Sequence, residues 1–516
     1  MAISTSISRS KKLSIFLNIS FIFLLSLYLK IHLSPFKHNS TLFYQSSSIR
    51  TTPTRFLRDI TTNGCTGLQK YTDNKYKCFY VKSDNGCKPK GYIDYLQVFY
   101  CNFGKFPLLG HLVLVLWLIV LFYLLGNTAA SYFCSSLESL SDILKLSPTI
   151  AGVTLLSLGN GAPDVFASIV SFTRSGNGGL GLNSILGGAF FVSSIVVGII
   201  TIGRINLWGA LCFVSIYFVY VCVVSAMHFF YGNKEVVHVG EVGIPLLGYI
   251  DEEKQMDKTE LPLYLPRRLT IPVVSEESWS KAYAVLSVTL APLLLASLVN
   301  TQRENVSVKS SLVTYLTAGL IGMFFGNLAY VTTKKSSPPK RCLFPWLAGG
   351  FLMSITWTYI IAEELVSLLV SLGHIIGINP SVLGLTVLAW GNSLGDLIAN
   401  IAMAINGGAD GAQIAISGCY AGPMFNVLMG LGLSLLFSSI SEYPSSFEIP
   451  GDPSLYETLG FLMGGLLWAL VILPKNNMRL DRSLGFGLLA IYLCFLFLRL
   501  TRALGLLNLH GSFFEV

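Results

Sequence analysis

The chain has 516 residues, of which 52% are hydrophobic and only 12% are charged, with a formal net charge of +8. Soluble domains carry about 25% charged residues, so the composition excludes an ordinary soluble protein and indicates a protein that sits in lipid. The positive excess is spread over loops and tails, not gathered with aromatic residues in a basic stripe. It suits an anionic lipid surface and argues against nucleic acid as a partner.

The start of the chain resembles a secretory signal. Three basic residues precede an apolar run at 13–29, which is typical of either a signal peptide or a signal anchor. We therefore interpret 1–33 as one of these two. Either one predicts entry into the secretory pathway, and so a location in the plasma membrane, the vacuole or another endomembrane.

A polar segment at 34–105 carries a cluster of four cysteines, Cys65, Cys78, Cys87 and Cys101. Four cysteines allow three disulfide pairings, and the sequence does not choose among them. Because disulfides need an oxidising compartment, this segment is predicted to be luminal or extracellular.

Apolar runs long enough to span a membrane as helices follow. They lie at 108–126, 147–173, 183–204, 207–230, 282–300, 311–331, 345–372, 379–404, 412–438, 456–473 and 484–500. The loop at 233–281, which includes Arg267 and Arg268, and the basic loop before 345 are expected to be cytosolic and solvated. This predicts an all-α, polytopic membrane protein of about 11–12 spans. Its parts are a half at 106–232, the loop at 233–281, linking helices and the basic loop at 282–344, a second half at 345–505 and a tail at 506–516.

One motif occurs twice. Gly159-Asn160-Gly161-Ala162-Pro163-Asp164 lies in the first half and Gly391-Asn392-Ser393-Leu394-Gly395-Asp396 in the second, at a constant offset of 232. Such agreement at polar and glycine positions indicates an internal repeat.

Each copy of the repeat supplies oxygen ligands at membrane depth. Asn160 and Asp164 are four residues apart and share one helix face, as do Asn392 and Asp396. Pro163 has no N–H to donate to the Gly159 carbonyl, and Gly391 and Gly395 are expected to loosen the second copy. Intramembrane carboxylates usually mark an ion path, and hard cations bind carboxylate, amide and carbonyl oxygens. We predict a cation site of Asp164, Asp396, Asn160, Asn392, Gly159 and Gly391, with no bound cofactor.

A second pair of glycine-rich helices follows the two motifs. Phe191 matches Phe425 at an offset of 234. Asn426 is then a further candidate ligand, while its counterpart Val192 is not, so the site is expected to be lopsided. Glu363 and Glu364 are interpreted either as a relay or as hydrogen-bonded carboxylates near a membrane face.

The two motifs resemble the alpha-repeats of the cation/calcium exchanger superfamily, most closely those of the plant cation/calcium exchangers and of the mitochondrial sodium/lithium/calcium exchanger. The resemblance covers about 100–500. It implies an antiporter, not an enzyme, which moves Ca²⁺ or another cation against Na⁺, K⁺ or H⁺. It also implies that Asp164 and Asp396 are the central ligands, with Asn160, Asn392 and Ser393 beside them. It also implies repeats inverted in the membrane.

The predicted spans conflict with inversion. They give six crossings from the first motif to the second, and an even number would make the two copies parallel. The resemblance implies a further helix between Thr201 and Asn206, so we expect this chain to lack one. The alternatives are an inactive or truncated exchanger homologue, a cation channel and an intramembrane aspartyl protease.

Overall fold

The computed structural model describes residues 20–21, 65, 68, 71, 73–82, 87, 91–134, 136, 157–173, 178–198, 261–274, 279–302, 308–335, 338–339, 343–406, 411–442, 453–476 and 482–503. Every regular element in these ranges is helical, with no strand. Eight of the described helices are long and apolar enough to cross a membrane. The predicted all-α, polytopic fold is confirmed. The predicted span at 207–230 and all of 1–33 except 20–21 lie outside the described residues.

The helices follow one another along the chain with few described connections. They are α1 (Asn74–Lys82), α2 (Tyr95–Gln97), α3 (Pro107–Thr128), α4 (Ser157–Thr173), α5 (Gly178–Phe191), α6 (Leu261–Arg268), α7 (Lys281–Gln302), α8 (Val308–Thr332), α9 (Leu343–Ile376), α10 (Pro380–Leu383), α11 (Ala389–Asn406), α12 (Gly411–Phe425), α13 (Gly432–Glu442), α14 (Pro453–Lys475) and α15 (Arg482–Ala503). Wider π-helical turns continue α2, α3, α5, α10 and α12, at Val98–Asn102, Ala129–Cys134, Val192–Val196, Gly384–Leu388 and Asn426–Leu431.

A tight turn separates α9 from the second repeat. Gly377 has a φ of 79°, a left-handed conformation that glycine adopts without a Cβ clash, and it ends α9. Asn379 then caps α10, its side chain accepting a hydrogen bond from the Ser381 N–H at 3.0 Å. The chain therefore reverses direction just before the second motif.

Ring and cluster contacts fix the directions of the central helices. Phe133, at the end of α3, stacks on Phe351, near the start of α9, with centroids 5.2 Å apart. Ala162 of α4 belongs to the same cluster as Phe351, while Val170, further along α4, clusters with Leu365. Helix α4 therefore runs parallel to α9.

The two repeat copies run in opposite directions. A Cβ on Gly384 would lie 3.1 Å from the Leu180 Cα, and a Cβ on Gly188 would lie 3.2 Å from the Ser393 Oγ. Leu180 precedes Gly188 in α5, just as Gly384 precedes Ser393 in the second repeat. Helix α5 therefore runs parallel to α10 and α11. Helix α5 in turn follows α4 after only residues 174–177, and Gly181 packs against the Ser171 Cβ in an antiparallel hairpin. The motif helices α4 and α11 are thus antiparallel, and the even count of crossings is wrong.

The end of α5 and the start of α7 can be placed relative to α9. Val196 is at the face of the bundle where α9 begins, because α5 is antiparallel to α4. Trp279, just before α7, contacts Trp346 near the start of α9, with ring centroids 6.2 Å apart. The end of α5 and the start of α7 therefore lie on the same face of the bundle as the start of α9, and the predicted span at 207–230, which falls between them in the chain, lies outside the described residues.

Helix α6 packs alongside the second half of α3. Leu263 is buried in one cluster with Val120, and Arg267 donates to the Asn127 Oδ1 at 2.6 Å. Arg267 and Arg268 are both 2% exposed. The prediction of a solvated linker at 233–281 is wrong for these two arginines, because α6 buries them beside an apolar helix.

The linking helices α7 and α8 form a hairpin that packs mainly on itself. Gly322 and Gly326 both face Thr289, and a Cβ on either would overlap it. Small residues allow two membrane helices to approach closely in this way.

Candidate cation site

Asp164 lies at the centre of a buried polar cluster. Helix α4 continues through Pro163, so the Gly159 carbonyl, four residues earlier, has no amide N–H partner within the helix. Asp164 is 4% exposed. A carboxylate at such a position is stable only with compensating hydrogen bonds or charges.

Two amides from the other repeat bind the Asp164 carboxylate. The Asn392 Nδ2 donates to Asp164 Oδ1 at 2.9 Å, and the Asn426 Nδ2 donates to Asp164 Oδ2 at 2.8 Å. Both asparagines come from the second half of the chain, so the contact joins the two repeats. Asn426 is 5% exposed. The structure thus brings Asp164, Asn392 and Asn426 together, as the sequence predicted for a shared site.

Three oxygens beside this carboxylate are buried without a hydrogen-bond partner in the described part of the chain. They are the Asn392 Oδ1, the Asn426 Oδ1 and the Ser393 Oγ. Unsatisfied buried oxygens are costly and need an explanation in a native protein. Because hard cations bind neutral and anionic oxygens, this donor set fits a cation held against Asp164.

Glycines bring the helix backbones close to these polar groups. A Cβ on Gly188 would lie 3.2 Å from the Ser393 Oγ and 3.7 Å from the Asp164 Oδ2. A Cβ on Gly161 would overlap the Asn426 amide oxygen. Gly188 is part of the site although the sequence analysis did not select it. Its position in a glycine-rich run of the helix after the motif was the available signal.

Asp396 has a different environment from Asp164. It is partly exposed, whereas Asp164 is buried. The side-chain amide of Asn400 donates to the Asp396 backbone carbonyl at 2.9 Å, and not to the Asp396 carboxylate. Among the described residues, no group of three or more His, Cys, Asp and Glu side chains could hold a metal ion. A cation site here must use amide and hydroxyl oxygens as well as carboxylates.

The second motif helix is regular where a loosened turn was expected. The π-helical turn falls at Gly384–Leu388, and α11 is α-helical from Ala389 onward. The expectation that Gly391 and Gly395 open their own turn is therefore wrong. A Cβ on Gly391 would overlap the ring of Phe122 in α3, so Gly391 is needed for helix packing. Gly159 and Asn160 lie in α4, and the Asn160 side chain lies outside the described residues.

The helices after the two motifs break at matching positions. Helix α5 ends at Phe191 and becomes π-helical at Val192, and α12 ends at Phe425 and becomes π-helical at Asn426. Asn426 reaches Asp164, whereas Val192 is 2% exposed and has no polar group. The two matching positions therefore differ in chemistry, and the lopsidedness of a cation site there stays a prediction.

Comparison with known proteins gives a consistent family assignment. A family model described as "Sodium/calcium exchanger protein" matches residues 114–203 and 346–501. "Cation/calcium exchanger 1" of Arabidopsis thaliana is 53% identical over 97% of this chain and 98% of its own. "Cation/calcium exchanger 2" of the same plant is 48% identical over 87% and 93%. "Mitochondrial sodium/calcium exchanger protein" of Rattus norvegicus is 28% identical over 84% and 89%. No solved structure matches.

The two matched regions differ in length. The first ends at residue 203 and covers 90 residues, whereas the second covers 156. The comparison with "Cation/calcium exchanger 1" extends over 570 residues, more than the 516 of this chain, so that relative has residues with no counterpart here. The matched lengths agree with a first half that is shorter than the second, while the comparison with the relative does not locate its additional residues. The absence of one helix between Thr201 and Asn206 stays a prediction.

Proposed function

Because the chain belongs to the cation/calcium exchanger family, we propose that it exchanges Ca²⁺ against Na⁺, K⁺ or H⁺ at the Asp164 site. The protein is an integral, multi-pass membrane cation/calcium exchanger, a transporter and not an enzyme. The counter-ion, the residues that bind it and the mechanism are the proposed part.

The Asp164 cluster is the observation that carries the proposal. It combines one buried carboxylate with three unsatisfied neutral oxygens drawn from the other repeat. Each amide now points its N–H at the carboxylate. A cation would take the place of these donors, and the amides would turn their oxygens toward it. The same side chains then serve both the cation-free and the cation-bound site.

The antiparallel repeats support alternating access. Inverted repeats whose irregular helices meet at a central site are a common plan of secondary transporters. Here π-helical turns follow the matching residues Phe191 and Phe425, and the motif helices run in opposite directions. The site therefore lies between two units that can rock against each other.

The lopsided donor set bears on the choice of ion. Ca²⁺ takes six to eight oxygens and favours anionic ones. Asp164 is the one fully buried carboxylate of the cluster, and Val192 supplies no oxygen where Asn426 does. We infer modest Ca²⁺ affinity and transport of Na⁺ or K⁺ as the exchanged monovalent cation. The name of the mitochondrial relatives includes sodium, which favours Na⁺ as the exchanged ion.

The test is an ion panel on the purified full chain in sealed lipid vesicles. Ca²⁺ uptake is measured against outward gradients of Na⁺, K⁺ or H⁺, with the variants Asp164→Asn and Asp396→Asn. Coupled uptake that either variant abolishes supports the proposal. Folded protein that moves no cation under any gradient would instead support an inactive homologue, which the short first match at 114–203 makes a specific alternative.

A further inference from the structure

Glu364 of α9 is a buried carboxylate outside the cation cluster. It is 6% exposed and was interpreted from the sequence as a relay or as a hydrogen-bonded group near a membrane face. Its Oε1 accepts the backbone N–H of Tyr92, and that of Ile93 at 3.2 Å. Its Oε2 accepts the hydroxyl of Tyr95. We call residues 91–95 the strap.

The strap also bonds to α3. The Tyr95 hydroxyl accepts the Trp117 Nε1–H at 2.8 Å, and Tyr95 is 2% exposed. Burial, and then the neighbouring Glu364 carboxylate, raise the pKa of Tyr95 well above its usual value. Tyr95 therefore stays protonated and remains a donor to Glu364 at any physiological pH.

The strap backbone lies directly on α9. A Cβ on Gly91 would overlap the Ser367 side chain, one helical turn beyond Glu364 on the same face. Asp94 accepts the Gln97 N–H at 2.9 Å and so caps α2. The strap is thus held at both of its ends, by close packing at Gly91 and by the cap at Asp94.

Two disulfides close the segment that carries the strap. Cys65 pairs with Cys87 and Cys78 with Cys101, one of the three pairings that the sequence allowed. Cys87 precedes the strap by four residues, and Cys101 follows it in the π-helical turn Val98–Asn102. Each disulfide therefore ties one flank of the strap to an earlier part of the chain.

A continuous packed path leads from the strap to the motif helix. Leu96 of α2, Leu365 of α9 and Val170 of α4 belong to one buried cluster, and α4 carries Asp164. The side chain next to Glu364 is thus part of the surface against which the Asp164 helix packs.

We propose that Glu364 is a positioning residue which clamps the disulfide-closed strap onto α9, and that reduction of the disulfides releases this clamp and slows cation exchange. An added dithiol supplies the electrons: each disulfide becomes two thiols while the dithiol becomes its own cyclic disulfide. The freed strap then no longer holds α9 against α3 and α4. The transport part of this proposal rests on the proposed function, whereas the clamp itself does not.

The experiment combines hydrogen exchange and flux on the full chain, with the six other cysteines replaced by serine. Exchange at Tyr92 and Ile93 is measured by mass spectrometry before and after dithiothreitol, and again in Glu364→Gln and Tyr95→Phe. Glu457→Gln is the matched control, because Glu457 pairs with Arg499 at 3.5 Å, outside the strap. Opening of the disulfides is verified by thiol alkylation and intact mass.

We expect Glu364→Gln to speed exchange at these two amides roughly tenfold or more, since hydrogen bonds to a charged group are the stronger ones. Dithiothreitol is expected to speed exchange at the same two amides in the parent and to reduce the parent's cation flux at least twofold. The Glu364→Gln variant is expected to have a low cation flux from the start, and dithiothreitol should not lower it further. The Glu457→Gln control should respond as the parent does.

Three results would overturn the proposal. Unchanged strap exchange in Glu364→Gln would remove the clamp. If the parent keeps its full cation flux after both disulfides are reduced, the clamp does not affect transport. A dithiothreitol response in Glu364→Gln equal to that of the parent would place the effect elsewhere. If no variant moves any cation, the proposed function fails, and the exchange data still decide the clamp.

Discussion

Replacing Gly384 by alanine should push the two repeats apart. Gly384 opens the π-helical turn before α11, where α5 of the other repeat passes it. A Cβ there would lie 3.1 Å from both the Leu180 carbonyl carbon and its Cα, and would overlap the carbonyl oxygen. These are backbone atoms, so no change of rotamer relieves the clash and the helices must separate.

The expected loss of stability follows from the size of this clash. Overpacking of a tight interior costs about 1–3 kcal/mol. The better helix propensity of alanine returns about 0.5–1 kcal/mol. Gly384→Ala should therefore lower the apparent melting temperature of the detergent-purified protein by several degrees at a fixed scan rate. It should also slow Ca²⁺ uptake in vesicles, because Ser393 and Asp164 lie along the same interface.

Gly460→Ala is the matched control, since a Cβ on this exposed glycine of α14 would meet nothing within 4 Å. The same substitution there should leave transport unchanged and keep or slightly raise the melting temperature. If Gly384→Ala behaves like this control, α5 and α10 do not make the described close approach, and the antiparallel pairing of the repeats loses its support.

Three further predictions concern separate parts of the molecule. Asn426→Val removes the amide group that donates to Asp164 and also removes its oxygen, which is a candidate cation ligand. This variant should raise the half-saturating Ca²⁺ concentration of uptake about tenfold or more, and an unchanged value would exclude Asn426 as a ligand. Arg267→Gln removes the guanidinium that donates to the half-buried Asn127 and to the buried Thr128, and it should lower thermal stability by about 1–3 kcal/mol. The measurement is unfolding in detergent, and full stability would contradict the packing of α6 beside α3. Burial raises the pKa of Tyr100 to about 12. An unfolded tyrosine ionises near pH 10, so this stabilising contribution is complete below about pH 10 and is lost between about pH 10 and 12. The melting temperature of the parent should therefore fall more steeply across that window than the melting temperature of Tyr100→Phe, and equal slopes would contradict the burial of this phenol.

The sequence predicted the partners of the site better than their arrangement. The repeat offset placed Asp164 and Asn392 in one site, because polar residues at matching positions in lipid have few other uses, and the match of Phe191 with Phe425 added Asn426 as a candidate. It did not predict that both asparagines would bind Asp164, since this depends on how α4 and α11 cross. The partial exposure of Asp396 likewise depends on neighbouring helices and not on its motif.

Other features depended on contacts between distant segments. The burial of Arg267 requires α6 to pack beside α3, and positive charge in a polar stretch gives no sign of this. The role of Glu364 requires the strap, whose backbone N–H groups have no sequence signature. The antiparallel repeats were implied by resemblance alone, while the count of apolar runs pointed the other way, because hydropathy alone does not give the direction in which a helix runs.

The most direct test of the central claim is the dependence of Ca²⁺ efflux on cations outside the vesicle. Vesicles holding the protein and radioactive Ca²⁺ are diluted into a medium whose sole cation is a large impermeant organic ion, and then into the same medium with Na⁺, K⁺ or a proton gradient. An exchanger with its site at Asp164 should release almost no Ca²⁺ until one of these ions is added, and Asp164→Asn should release none in either case. Equally fast release in both media would show a channel and contradict coupled exchange.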